Sequence, residues 1–165
     1  MSAIAALPAS QPSSDPAAPG RALEIVRGVQ LMFSEHGLAS LTEVTLANGR
    51  RADVMAVGAR GEIVIVEVKS CLQDFRSDQK WPEYAPYCDR FYFAIDCDFP
   101  RERIPVEVGL IVCDGFGGAI LRESEVSALS GARRKAVTLS FARLAAARLL
   151  RAAAIMHAAP EPAID

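Results

Sequence analysis

The chain contains only two histidines in 165 residues, and its four cysteines, Cys71, Cys88, Cys97 and Cys113, form no CxxC pair. Without zinc-ligand spacing a zinc module has no support, and the thiols read as buried and reduced. Long uncharged apolar runs are also missing. The segment Met1 to Ser10 lacks a positive start and Pro8 interrupts its apolar residues, so it does not read as an export signal. The alanine-rich C-terminal segment is cut by Arg143, Arg148 and Arg151, short of the uncharged run of about 20 residues that a membrane span needs. The expectation is a cytoplasmic chain with no membrane partner.

Nor is there a large excess of either charge. The formal net charge is −2, which argues against a uniformly basic nucleic-acid coat, but the average hides a polarity. From Arg21 to Val126 there are 12 basic and 17 acidic side chains, whereas Ser127 to Pro160 holds 6 basic and none acidic. A polyanion would meet the C-terminal part first.

What is present is an ordinary globular composition, 51% apolar and 23% charged. A chain of this length hides roughly 70% of its unfolded surface on folding, enough for one core without disulfides or a structural metal. Residues 1–20 hold Pro8, Pro12, Pro16 and Pro19 among Ala and Ser, a composition that reads as a disordered tail. The expected organisation is therefore that tail, a single domain over 21–157, and a second disordered tail over 158–165.

Arg21 to His36 has mixed helical spacing, with Leu23, Val26, Gln30, Leu31, Met32 and Phe33 making one broad apolar face and Gly37 placed for a left-handed cap. Leu41 to Leu46 alternates, Asn48-Gly49 signals a two-residue hairpin loop, and Arg51 to Val57 resumes as a strand. A second hairpin leads into Ile63 to Lys69, rich in β-branched residues. Asp74 is placed to cap a short helix through Lys80, which Trp81-Pro82 must interrupt. Phe91 to Ile95, Val108 to Cys113 and Ala119 to Arg122 are of strand length, and Val137 to His157 closes the chain as a helix. The order is helix, three strands, helix, two or three strands, helix. Strands apolar on both faces imply an α/β fold whose sheet is covered on both sides.

The second hairpin can be registered by arithmetic. With Ala59-Arg60-Gly61 as a three-residue loop and Gly61 left-handed, Val57 faces Ile63 and Asp53 faces Glu67. Cross-strand Cβ atoms are about 5 Å apart, and two carboxylates there repel by ~3 kcal/mol at an effective dielectric of 20. Lys69, two residues beyond Glu67, shares that face. Such a trio suits phosphodiester hydrolysis assisted by Mg²⁺ or Mn²⁺, because hard cations take carboxylate oxygens, keep several waters and accept phosphate oxygens. In that reading Asp53 and Glu67 are metal ligands, the Val68 backbone carbonyl is a third, and Lys69 serves the water or the phosphate. The duller reading of Glu67 and Lys69 is a surface ion pair worth about 0 to 1 kcal/mol.

Asp53 and the 14-residue step to Glu67-Val68-Lys69, with Ala52-Asp53 where a Pro-Asp would stand, resemble the PD-(D/E)XK nuclease superfamily. More closely, Gly49-Arg50-Arg51-Ala52-Asp53-Val54, Val66-Glu67-Val68-Lys69-Ser70, the stretch from Asp74 to Tyr84, and Cys88-Asp89-Arg90-Phe91-Tyr92-Phe93-Ala94 resemble the MmcB-like DNA repair proteins of bacteria. The resemblance implies a restriction-endonuclease-like αβββαβ core with a mixed sheet, helices on both faces and an extra C-terminal helix. It implies DNA as partner, a role in repair in the bacterial cytosol near the nucleoid, and Mg²⁺-dependent endonuclease activity. Homodimerisation is compatible with cutting both strands. The alternative it leaves open is a repair factor that retains the fold and binds nucleic acid without cutting.

Many members of the superfamily add a further acid from the first helix or strand, and Glu24, Glu35 and Glu43 are the candidates, Glu43 being the possible fourth member of the site. A two-residue loop at Asn48-Gly49 pairs Val44 with Asp53 and turns Glu43 away; a one-residue slip or a bulge would bring it round. Candidate DNA contacts are Arg51, Lys80, Arg133, Arg134 and Lys135, each with a plainer reading as a solvated or charge-balancing side chain. Trp81 is either core packing or a platform for stacking on a base.

Overall fold

A computed structural model describes residues 19–71 and 80–158. The first helix, α1 (Pro19–Glu35), opens two residues earlier than expected. Its inward stripe is Ile25, Val29, Met32 and Phe33, all buried, while Leu23 is exposed. The buried stripe thus keeps Met32 and Phe33 of the broad face read in the sequence but is centred on Ile25 and Val29, with Leu23 and Leu31 left exposed. Gly37 takes a positive φ of 74°, and the Leu38 N–H closes onto the Phe33 carbonyl at 2.8 Å.

Six strands follow in chain order across one sheet: β1 (Ala39–Thr45), β2 (Arg51–Val57), β3 (Ile63–Val68), β4 (Arg90–Ile95), β5 (Gly109–Cys113) and β6 (Gly118–Arg122). The pairs β1–β2, β2–β3 and β5–β6 are antiparallel, whereas β3–β4 and β4–β5 are parallel, so the sheet is mixed. The second hairpin has the expected register: Val57 pairs with Ile63, Val54 with Val66, and Gly61 is left-handed at φ 79°.

The first hairpin differs from expectation by one residue. Leu46 N–H bonds to the Arg50 carbonyl at 2.7 Å and Thr45 pairs with Arg51, which makes the loop three residues, Ala47-Asn48-Gly49. Asn48 is drawn out of a two-residue turn by its own side chain, whose oxygen accepts from Arg50 N–H and whose amide donates to the Glu83 carbonyl. Gly49, at φ 82°, then supplies the left-handed position that a three-residue loop needs.

One face of the sheet is covered by α1, which packs on Val54, Ala56, Val64, Val66, Tyr92, Ala94 and Ile111. The other carries Met55, Ile63, Ile65, Phe91, Phe93 and Ile95 under a 3-10 helix (Trp81–Tyr87) and the start of the second helix, α2 (Gly131–Ala158). The α2 helix begins six residues before the expected Val137, because the Ser130 hydroxyl caps it by accepting from Arg133 N–H. The helix expected from Asp74 and both terminal tails, apart from residues 19, 20 and 158, lie outside the described residues. Among the described residues no helix is long and apolar enough to cross a membrane.

A candidate metal centre at the end of the central hairpin

Asp53 and Glu67 are brought together by the β2–β3 pairing. Asp53 N–H donates to a Glu67 carboxylate oxygen at 3.3 Å, and Val68 N–H donates to the Asp53 carboxylate at 2.8 Å. Each acid thereby uses one oxygen on the facing strand's backbone. Glu67 is buried, at 6% exposure, and Asp53 is half-buried. Burial, followed by repulsion from Asp53, pushes the Glu67 carboxyl up to about 7. Asp53 is also raised, by burial first, against the opposing pull of the Val68 N–H and of Lys69.

Lys69 is as buried as Glu67, at 5% exposure. Its backbone N–H bonds to the Ala94 carbonyl at 2.9 Å and its ammonium lies 5.7 Å from the centre of the Phe93 ring. Its charge opposes the rise at both acids, and the three polar groups converge as the period of two requires. Tyr84 completes the enclosure: the single proton of its hydroxyl is shared between the Glu67 carboxylate and the Arg51 carbonyl 3.2 Å away, and its ring stacks on Phe91 at 5.5 Å.

The longer first loop also moves Glu43. It falls between the pairs Thr42–Val54 and Val44–Ala52, which sets it across from Asp53 instead of facing away. Its negative charge contributes to the rise at Asp53, and its carboxylate is held by Arg51 at 2.5 Å. Among the described residues no group of three or more His, Cys, Asp or Glu is arranged to hold a metal ion. The acids therefore form a pair with a third near it, rather than a closed cage.

The expected basic contacts divide. Arg134 makes two 2.6 Å bonds to Asp89 and one of 2.7 Å to the Gly61 carbonyl, so it serves the fold. Asp89 also accepts from Ile63 N–H and Leu129 N–H; burial opposes its charge, but these donors and Arg134 outweigh it and hold the carboxyl at about 2. The Arg133 guanidinium lies 5.1 Å from the centre of the Tyr87 ring and Arg51 is taken by Glu43. Lys80 and Lys135 are exposed. Trp81 stacks on Phe91 at 5.9 Å, which places it in the packing. One contributor was not legible in the sequence as part of this site: Tyr84 as a partner of Glu67.

A buried and a half-buried carboxyl group beside a buried lysine, at one end of a mixed, helix-covered sheet, define an α/β protein with a polar site in an apolar setting. The chain belongs to the MmcB-like family: the sequence profile described as DNA repair protein MmcB-like matches residues 9–156. Among solved structures it is similar to the SPO1766 protein of unknown function from Silicibacter pomeroyi. The two are 40% identical with a TM-score of 0.76, over 78% of this chain and 88% of that one. No curated protein matches the chain.

Proposed function

We propose that this chain is a metal-dependent nuclease that hydrolyses DNA phosphodiester bonds during repair. The observation that carries the reading is the Asp53–Glu67 pair, a half-buried and a buried carboxyl group held together against their own repulsion with Lys69 beside them. The donor set fits Mg²⁺ or Mn²⁺, since such ions are held by one or two carboxylates and take their remaining ligands from water and phosphate. When bound, the ion would lower the pKa of a water and offset charge on the phosphate.

Asp53 and Glu67 each retain an oxygen that is not bonded to the facing backbone N–H, and these are the ligands. The Val68 carbonyl is a third: N–H and C=O of a strand residue point the same way, and the Val68 N–H points at Asp53. Tyr84 fixes the Glu67 carboxylate by hydrogen bonding. Lys69, kept near both acids, supplies positive charge to the phosphate or orients the attacking water. Lys80 and Lys135 are exposed and suited to contact the nucleic-acid backbone.

Incubation with duplex, single-stranded and branched DNA in Mg²⁺ or Mn²⁺ tests this. Products should form and be reduced at least about 100-fold in Asp53→Asn, Glu67→Gln and Lys69→Met, with the fold intact by circular dichroism. A second reading, binding without cleavage, is favoured by the lack of a three-acid cluster among the described residues. A gel shift without products from any of the three DNA forms would select it.

A further inference from the structure

Glu43 is the one non-glycine residue with positive φ among the described residues, at 52°. It lies in the middle of β1, where an L side chain pays a steric cost and something must hold the backbone. The holder is visible. Arg148, more than 100 positions later on α2, donates to the Thr42 carbonyl at 2.6 Å and to the Glu43 carbonyl at 3.1 Å.

In a regular strand successive carbonyls point to opposite sides, so one guanidinium can take two neighbouring carbonyls only where the strand is locally broken. The positive φ at Glu43 is that break. Its effect on packing is a change of phase: Leu41 and Val44, three apart, both pack on the cluster beneath α2. Its effect on polarity is that Glu43 stands across from Asp53 with its carboxylate against Arg51.

We propose that Arg148 is a positioning residue of the Asp53–Glu67 site, acting through Glu43. The guanidinium fixes the kink that keeps the Glu43 charge beside Asp53, which makes the C-terminal helix part of the site rather than an appendage. The inference rests on the metal-binding reading above for its consequence, while its structural half stands apart from any metal.

Two measurements on the full chain separate the halves. In metal-free protein, backbone coupling constants and carbon shifts of Glu43 should report positive φ in the wild type and lose it in Arg148→Met, with Arg148→Lys retaining part of it. An unchanged Glu43 signature in Arg148→Met would overturn the proposal. By calorimetric titration with Mn²⁺, Arg148→Met and Glu43→Gln should each weaken binding about tenfold, and the double variant no further than either alone. Additive losses, or full affinity in Arg148→Met, would also overturn it. A wild type that takes up no Mn²⁺ would sink the metal reading and with it the role in the site, even if the Glu43 signature behaves as expected.

Discussion

Glu67 shows at the scale of one side chain what burial beside a second acid does to a carboxyl. Its carboxyl titrates near 7 because it is buried and then because it faces Asp53, whereas the unfolded chain would ionise it near 4.5. A raised folded value means that the native state holds the proton more tightly. This contribution to stability is therefore fully present below about 4.5 and is lost as pH rises through about 7, by roughly 3 kcal/mol in total. Two outcomes follow for the metal-free protein and the loaded one. Glu67→Gln should raise metal-free stability at pH 8 by about 1 to 3 kcal/mol in urea unfolding, because a neutral amide replaces a buried charge. Wild-type Mn²⁺ affinity should increase between pH 6 and 8 with release of a proton, read by calorimetry in buffers of different ionisation enthalpy; affinity independent of pH would show that Glu67 is not a ligand.

Between elements, the fold depends on how closely α1 and the sheet can approach. Gly28 faces the β5–β6 turn, and an added Cβ there would come within 2.6 Å of the Gly117 carbonyl and 2.8 Å of the Cys113 Cβ. Since one of these is backbone, the helix itself must move. Gly28→Ala should destabilise the protein by about 1 to 3 kcal/mol in denaturant unfolding despite the better helix propensity of alanine; a stabilised variant would mean that α1 is not seated this tightly. Hairpin geometry was legible where it was local. Gly61 and the period of two were enough to place Asp53 against Glu67, while Asn48-Gly49 misled because Asn48 bonds to Glu83, a residue 35 positions away.

Across the whole molecule, the basic C-terminal part is less available to DNA than its charge count suggests. Arg134 balances Asp89, Arg148 binds β1 carbonyls and Arg133 covers Tyr87, which leaves Lys135 exposed on the first turns of α2. DNA association measured by fluorescence anisotropy should weaken with salt, and Lys135→Ala should lower the magnitude of the logarithmic salt slope by about 0.9, the contribution of one phosphate contact. An unchanged slope would place the polyanion on another face. Arg134→Ala should instead lower stability, because it leaves the buried Asp89 carboxylate without its ion-pair partner.

The amino-acid pattern alone determined the strand order with a helix at either end, the α/β class, and the convergence of Asp53, Glu67 and Lys69. Each of these follows from spacing within one turn or one strand pair, where the backbone geometry is fixed by a handful of neighbouring residues. Only the tertiary structure decided which arginines are engaged, that Trp81 is packed, and that Glu43 faces Asp53. The engagement of the C-terminal arginines depends on contacts 45 to 106 residues apart, such as Arg134 with Asp89 and Arg148 with Thr42, the place of Glu43 follows from a loop whose Asn48 bonds to Glu83, and Trp81 stacks on the Phe91 ring; no strand or helix period encodes these partners.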